Sequence, residues 1–316
     1  MSIGPDTIHS RPALGRLAWL LAAITLLCAG LLISSPVRAS DKAKADKKKE
    51  PAGEICVTFD ELPVALAFQK ADRSAVTERL LAALKKHEVK AAGFVVGGNI
   101  GDSYDLLGSW LNEGHILGNL TYSNQDLQEL SAAAFINDIV AGEEALRPML
   151  TGFGQTTRYF RYPFLHYGKT VETKREVGRM LATGEFVVAH ATVVVEDYLY
   201  NLSLEKLRRP DSTEFDRLAT EYIAHVLEEL DRCELLALEI LKRPCRQILL
   251  LRANVLNSLV LDDLLTEIEA AGYRFVSLDR ALKDKLYSAP EAYFGSRGMG
   301  YLDMLLHSEP DLLPAE

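Results

Sequence analysis

Two carboxylates at the end of a buried strand are the first residues of this sequence that could do chemistry. Residues 55–59 (ICVTF) form an apolar and β-branched run, and Asp60 and Glu61 follow it directly. Such a run predicts a buried strand, so the acidic pair falls where the strand leaves the core. In a barrel of parallel strands, catalytic groups lie at these ends. The alternative is a strand followed by a solvated acidic turn.

Later apolar runs also end on residues with functional side chains. Residues 158–162 are stopped by Pro163, residues 186–195 end on Glu196-Asp197-Tyr198, and residues 247–251 end on Arg252. This recurrence at successive strand ends favours a site over an isolated acidic turn.

The elements that must position these residues alternate along the chain. Short apolar runs alternate with amphipathic helical patterns, which predicts parallel strands joined by helical crossovers. The patterns predict helices near 104–112, 132–150, 171–181 and 213–242, and one capped by Ser74. Seven strands are predicted, at 55–59, 91–96, 116–120, 158–162, 186–195, 247–251 and 274–278. From residue 289 the chain has no clear periodicity until residues 302–306, so we expect an irregular extension that packs on the barrel.

Length and composition are those of a globular protein. The chain has 316 residues, of which 48% are hydrophobic and 25% charged, so it allows one large domain with tails or two modest ones. The formal net charge of −9 argues against general nucleic-acid binding.

The N-terminal region has the pattern of an export signal. A basic flank precedes an apolar stretch at 17–33, and Val37-Arg38-Ala39 offers small residues for cleavage. We expect residues 1–39 to be a signal peptide or, uncleaved, a membrane anchor through residues 17–35. Residues 40–53 predict a charged linker. The protein is then exported to the periplasm or cell envelope.

Three cysteines follow the predicted cleavage point. Cys56, Cys233 and Cys245 have no CxxC spacing, so no redox or zinc motif is indicated. Export would permit a disulfide, and Cys233 with Cys245 is the pair close in sequence. Buried free thiols are the default expectation.

Four motifs in order give the chain a specific resemblance. They are TFD at 58–60, GHILGNLTYSNQDL at 114–127, RYFRYPF at 158–164 and LLLRANVLN at 249–257. Together they resemble the polysaccharide deacetylases of carbohydrate esterase family four, which share the NodB homology domain. The resemblance implies an α/β fold, a distorted (β/α)7 barrel, over residues 54–285, with a C-terminal extension at 286–316.

The resemblance also implies roles for individual residues. In that family an aspartate and two histidines hold one divalent metal, and a second aspartate is the base for the metal-bound water. Asp60 matches this base, and Arg161 matches the arginine that orients it. Asp197 with Tyr198 matches the pair that supports a catalytic acid. The family activity is removal of acetyl groups from amino sugars or other acylated glycans.

This chain departs from the family pattern at the metal and acid positions. Glu61 takes the place of the metal-binding aspartate, Leu120 and Asn124 take the places of the two histidines, and Arg252 takes the place of the acidic histidine. Leucine has no lone pair, and a guanidinium does not donate a proton at neutral pH. We therefore expect no metal cofactor and impaired hydrolysis. Either Arg252 supplies the missing positive charge in an ion-pair network, or it points into solvent.

Other histidines offer little to rebuild a metal site. His190 lies inside an apolar run and is expected to be a core residue. His115 lies before the third strand. His166 follows a strand end but has no histidine partner at a ligating spacing.

Three functions remain open. The first is an impaired or inactive deacetylase that still binds acetylated glycan, with Tyr162, Phe164 and Tyr198 stacking on sugar rings and Glu61 and Asn124 contacting substrate. The second is an active deacetylase or esterase with an oxygen-ligand metal site built from Asp60, Glu61 and Asn124. The third is a non-catalytic protein partner that uses the helix at 213–242 or the tail.

Overall fold

The computed structural model describes residues 52–65, 72–207 and 213–309. The predicted signal or anchor at 1–39 and nearly all of the predicted linker at 40–53 lie outside these residues. Within the described ranges, no helix combines the length and apolar character needed to cross a membrane.

Parallel strands form one curled sheet, as the alternation of patterns predicts. The strands run in the order β5-β4-β3-β2-β1-β7-β6, and the start of β1 also pairs with β8. In the register between β1 and β7, Asp60 is paired with Arg252, so the two motifs that carry these residues end side by side. The bounds are β1 Gly53–Leu62, β2 Ala92–Val95, β3 Ile116–Asn119, β4 Arg158–Phe160, β5 Phe186–Val188, β6 Val193–Val194, β7 Gln247–Arg252 and β8 Tyr273–Phe275.

Strand alternation divides the core into two clusters. On β1, Val57 and Phe59 pack with helix residues in the larger cluster on the outer face. Cys56 lies in the smaller cluster on the inner face. Because side chains alternate between faces, Thr58 and Asp60 also point to the inner face. The sheet therefore aims Asp60 into the mouth of the barrel.

Most of the described helices cover the outer face of the sheet, whereas the short helix at 278–281 packs Leu278 and Ala281 into the smaller cluster on the inner face. The helices are α1 Arg73–Lys86, α2 Tyr104–Asn112, α3 Ala132–Gly152, α4 Val171–Thr183, α5 Asp197–Lys206, α6 Thr213–Leu241, α7 Val255–Ala270, α8 Leu278–Ala281 and α9 Tyr301–Leu306. The N-cap of α1 is Asp72, whose side chain accepts a hydrogen bond from the Ala75 N–H, so the prediction of a Ser74 cap is wrong. Ser74 lies inside the helix. Helix α5 was not predicted.

The predicted fifth strand is broken into two. Residues 186–195 form β5 and β6, which are the two ends of the described sheet and do not pair with each other. Residues 189–192 cross the gap, where the Ala189 N–H bonds to Phe160 O on one side and the Thr192 N–H bonds to Ile248 O on the other. The sheet is thus a barrel that is open at this point.

The C-terminal extension packs on that opening. The Tyr301 N–H donates to Ala191 O at 2.7 Å. Tyr301, Leu302 and Met304 are buried on the same side. The expectation that the extension packs on the barrel is confirmed. Cys56, Cys233 and Cys245 are buried free thiols, which also agrees with the expectation.

Candidate functional site

A cleft of about 580 Å³ lies at the carboxyl ends of the strands. Asp60, Glu61 and Arg252 line its floor, and Asn124 and Leu120 line one side. These five positions, all singled out in the sequence, therefore meet in one cavity, as the parallel topology requires.

Arg252 is held between two carboxylates at the floor of the cleft. Its Nε lies 3.1 Å from Glu61 Oε1, and its Nη1 lies 2.6 Å from Asp197 Oδ1. The guanidinium also lies over the Tyr198 ring, at 5.2 Å from the ring centre. Arg252 does not point freely into solvent, since only 22% of its side chain is exposed.

Asp197 is fully buried and anchors this ion pair. Its Oδ2 accepts hydrogen bonds from the Arg252 backbone N–H at 2.7 Å, from Asn257 Nδ2 at 2.7 Å and from Asn254 Nδ2 at 3.2 Å. Asn254 and Asn257 begin α7, directly after β7. The segment RANVLN at 252–257 thus holds Asp197 with several donors, which repay the cost of burying the charge.

Asp60 and Arg161 form the second pair of the floor. Asp60 Oδ1 lies 3.4 Å from Arg161 Nη1. Arg161 is fully buried, donates from Nη2 to Thr58 Oγ1 at 3.1 Å, and lies over the Phe94 ring at 4.4 Å. Among the described residues, Asp60 Oδ1 and the Nε and Nη1 of Arg161 have no hydrogen-bond partner. The pair is therefore held by charge and packing, and these three atoms could still form hydrogen bonds.

Burial and charge shift the pKa values of this cluster. Burial raises the pKa of Asp60, and the guanidinium of Arg161 partly offsets this effect. Burial likewise raises the pKa of Glu61, against the pull of Arg252. Although burial alone would lower the pKa of Arg252, the charges of Asp197 and Glu61 raise it above its ordinary value. Arg252 remains a fixed cation.

The residues at this floor do not fit a catalytic divalent metal. Glu61, which the motif resemblance aligns with the metal-binding aspartate of the family, accepts a hydrogen bond from Arg252 Nε. Leu120 is 1% exposed and offers only carbon at a histidine position. Within the described ranges, no group of three or more histidine, cysteine, aspartate or glutamate side chains is arranged to hold a metal ion. The Arg252 guanidinium is already paired with the Glu61 and Asp197 carboxylates.

Two of the three predicted aromatic residues are available at the cleft. Phe164 and Tyr198 line it and are 52% and 39% exposed. Tyr162 is 5% exposed, and its ring stacks with those of Phe135 and Tyr167 in the core. Tyr162 therefore does not reach the cleft, and the prediction that it stacks on a sugar is wrong. It lies just beyond the end of β4 and packs with Phe160 in the larger cluster on the outer face.

The histidines occupy the places that the sequence suggested. His190 is a core residue whose Nδ1 is hydrogen-bonded to the Tyr167 hydroxyl at 2.7 Å. Its ring stacks on that of Tyr301, with 4.0 Å between the ring centres. His115 is buried beside Trp110, away from the cleft. His166 lines the cleft, but its Nδ1 is 2.8 Å from Asp126 Oδ1.

The far wall of the cleft comes from residues that sequence reasoning did not identify. On α6, Arg232 bonds to Glu229 at 2.7 Å and to Asp303 of α9 at 2.7 Å. Arg297 and Gly298 complete this wall. Gly298 could have indicated that this segment packs closely against another part of the chain. A Cβ at this position would lie 1.9 Å from Phe164 O, so a larger residue would clash there.

Several non-glycine residues at the cleft have left-handed backbone. They have φ values of 55° to 65°, a region that costs energy for residues with a side chain. These residues are Glu61, Thr121, Asn124, Phe164 and Leu165. The Asn124 N–H donates to Thr121 Oγ1 at 3.0 Å, which stabilises one of these turns.

Comparison with known proteins gives the same family as the motifs. The sequence profile described as polysaccharide deacetylase matches residues 47–195. A peptidoglycan-N-acetylglucosamine deacetylase of Bacillus cereus is 31% identical over 116 residues, which are 37% of this chain and 40% of that protein. A chitin deacetylase of Colletotrichum lindemuthianum is 32% identical over 118 residues, 36% of this chain and 42% of that protein. The matched segments thus span less than half of these relatives.

A solved structure shows a similar fold. It is a mutant of a CE4 family pseudoenzyme with restored enzymatic activity, with a TM-score of 0.51 and 17% identity over 74% of this chain and 69% of that chain. The wild-type protein comes from Bacillus anthracis. At this identity the likeness concerns the fold, and it agrees with the expected (β/α)7 barrel.

Proposed function

We propose that this chain, in which residues 47–195 match the polysaccharide deacetylase profile, binds amino-sugar glycans in the cleft and has lost metal-dependent deacetylation. The observation that carries this proposal is the position of Arg252, bonded at 3.1 Å to Glu61 and at 2.6 Å to Asp197. Its guanidinium satisfies the carboxylates that would otherwise need a cation.

The chemistry left at the floor supports the loss of hydrolysis. A catalytic metal lowers the pKa of its water from 15.7 to about 7, and no described group at this floor supplies that effect. The resemblance places Asp60 at the position of the base, but a base of this kind acts on water that a metal has made more acidic. Arg252 remains protonated and therefore cannot act as the general acid. A missing acid alone costs a factor of about 10² to 10⁴ in rate, and the missing metal adds to that cost.

The cleft keeps features suited to a sugar ligand. Phe164 and Tyr198 present partly exposed rings, and sugar rings pack their apolar faces on aromatic side chains. Asn124 and Asp60 add polar groups that can bond to hydroxyl or amide groups. Two relatives carry names that refer to acetylated glycans, namely peptidoglycan and chitin. We infer the same class of ligand here.

We further propose that the protein works in the cell envelope. The export pattern at residues 1–39 supports this location, as does the peptidoglycan named for a relative. Residues 17–35 would be the anchor if the signal is not cleaved.

Metal analysis and acetate release test the proposal together. We expect the purified protein to hold less than stoichiometric divalent metal and to release no acetate from N-acetylated chito-oligosaccharides, while still binding them. A stoichiometric ion that is lost in Glu61→Ala, with acetate release to match, would instead establish an oxygen-ligand enzyme. Absence of binding to any glycan would favour the protein-partner hypothesis.

A gain-of-function variant sharpens the test. The triple variant Leu120→His, Asn124→His and Arg252→His restores the family residues at three positions. We expect it to bind a divalent metal and to release acetate, because the Asp60–Arg161 pair is still in place. The single variant Arg252→His is the matched control, since it removes the guanidinium but leaves Leu120. Equal activity in parent and triple variant would contradict the proposal.

A further inference from the structure

Asp60 has unused hydrogen-bonding capacity where it faces the cleft. The residue is only 7% exposed, and its Oδ1 has no hydrogen-bond partner among the described residues. Its contact with Arg161, at 3.4 Å, is an ion pair without a hydrogen bond. Oδ1 is itself buried and faces Arg161, so a ligand would meet the part of the Asp60 carboxylate that lines the cleft. A donor there would offset a charge that the protein pairs incompletely.

The floor of the cleft carries more negative than positive charge. Among the described residues that form it, the carboxylates are Asp60, Glu61 and Asp197, and the guanidiniums are Arg161 and Arg252. Asp197 is matched by Arg252 at 2.6 Å, and Asp60 lies beside Arg161. Glu61 shares Arg252 with Asp197, so one carboxylate charge is left over. Arg252 contributes one positive charge, whereas a divalent metal would contribute two.

The rest of the cleft wall does not supply the missing charge. Beyond the floor, the described lining contains the carboxylates of Glu196, Glu229 and Asp303, the guanidiniums of Arg232 and Arg297 and, counted as neutral, the histidines His166, His225 and His307. Arg232 is already bonded to Glu229 and Asp303. The described cleft is therefore acidic as a whole, and a cationic ligand is favoured over a neutral one.

We propose that the cleft selects amino sugars whose amine is free, that is, de-N-acetylated glycan, over the N-acetylated form. This inference rests on the proposed glycan-binding function and names its ligand class. A protonated amine brings one positive charge and three N–H donors to the Asp60 and Glu61 carboxylates. An N-acetyl group is neutral and brings one N–H donor, so it leaves the excess charge uncompensated.

The electrostatics of Asp60 agree with a cationic ligand. Burial raises the pKa of Asp60 in the free protein, which means that its charged form is under-stabilised. A nearby ammonium favours that charged form. The protein thus gains more from an amine than from a neutral group of the same size.

Paired oligosaccharides of equal length test the inference. Calorimetric titration would compare a chitosan tetramer with a chitin tetramer at about pH 6.5, where an amine with a pKa near that of an α-amino group is protonated. The second arm compares de-N-acetylated with N-acetylated peptidoglycan strands. The two arms together show whether the amino sugar is recognised in chitin-type chains or in peptidoglycan. We expect roughly tenfold tighter binding of the free-amine form in at least one arm, and weaker binding in added salt.

Asn substitutions identify the carboxylate responsible. Asp60→Asn keeps the shape of the side chain, and we expect it to remove most of the preference for the free amine, measured as the ratio of the dissociation constants for the two forms. Asp263→Asn is the matched control, because Asp263 is exposed on α7 and outside the cleft. Glu61→Gln tests the second carboxylate if Asp60→Asn folds poorly.

The outcomes separate this inference from the function on which it rests. Equal or tighter binding of the N-acetylated form overturns the inference and leaves glycan binding intact. Binding of neither form overturns both. A free-amine preference that Asp60→Asn and Glu61→Gln leave unchanged also overturns it, because the selectivity would then arise elsewhere.

Discussion

Replacing Arg252 by leucine should strongly destabilise the protein at neutral pH. The substitution leaves Asp197, which is fully buried, and Glu61 without their cation. Breaking a buried pair by removing one partner typically costs about 3 to 5 kcal/mol. We expect the lower end, about 3 kcal/mol, because Asp197 keeps its bonds to Asn254, Asn257 and the backbone. For a domain of this size that corresponds to a fall in Tm of about 6 to 12 °C.

Thermal unfolding with matched variants measures this effect. Arg217→Leu removes an arginine from an exposed pair with Glu221, and should cost no more than about 0.5 kcal/mol. Adding Glu61→Gln to Arg252→Leu should recover part of the loss, and the double-mutant cycle gives the coupling. The deficit should shrink in acid, because burial raises the pKa of Glu61 and a protonated Glu61 does not need the guanidinium. A Tm for Arg252→Leu equal to that of Arg217→Leu would refute the ion-pair argument.

Three further changes test other parts of the structure. Burial lowers the pKa of His115 from 6.5 to about 4, so the unfolded state binds more protons between these two pH values. The free energy of unfolding should therefore fall as the pH drops through that window, and urea unfolding of His115→Gln should show about 3 kcal/mol less of this fall than the parent. Exposed His307→Gln should behave as the parent, and a pH profile of His115→Gln that runs parallel to the parent's would count against this. Gly298→Ala should lower stability by about 1 to 3 kcal/mol, because the added Cβ would clash with Phe164 O. Gly178→Ala, where the Cβ would enter open space, should be neutral or slightly stabilising in the same melting experiment, and equal Tm values for the two variants would disprove the clash. Phe164→Ala should weaken glycan binding several-fold in calorimetry with little change in Tm, since the ring is 52% exposed, and unchanged affinity would remove this ring from the site.

The sequence predicted those parts of the architecture that depend on the residues of one short segment. Apolar runs and helical periodicity identified the strands and most helices, and motif order placed Asp60 and Arg252 at neighbouring strand ends. The break at residues 189–192 was not predictable from an unbroken apolar run. It depends on distant partners, since backbone groups there bond to Phe160, Ile248 and Tyr301. Local propensity does not encode such tertiary contacts.

The floor of the site was easier to anticipate than its wall. Motif positions identified the floor residues, but their mutual bonding became evident only in the structure. The Arg232 cluster comes from α6 and α9, where charged residues are also typical of a solvated helix face. Tyr162 shows the opposite error, because an aromatic beside a motif arginine was taken for a ligand contact. The structure places it beside Phe160 in the larger core cluster.

The division of the cleft between distant parts of the chain has a consequence for biosynthesis. Asp60 and Glu61 are synthesised well before Arg297, Gly298 and Asp303, which lie far downstream of them in the chain. A nascent chain can therefore form the first strands long before the cavity has its second wall. Ligand added to growing or C-terminally clipped chains would meet a half-built pocket, so protection against proteolysis by ligand should appear only once residues 297–303 are present.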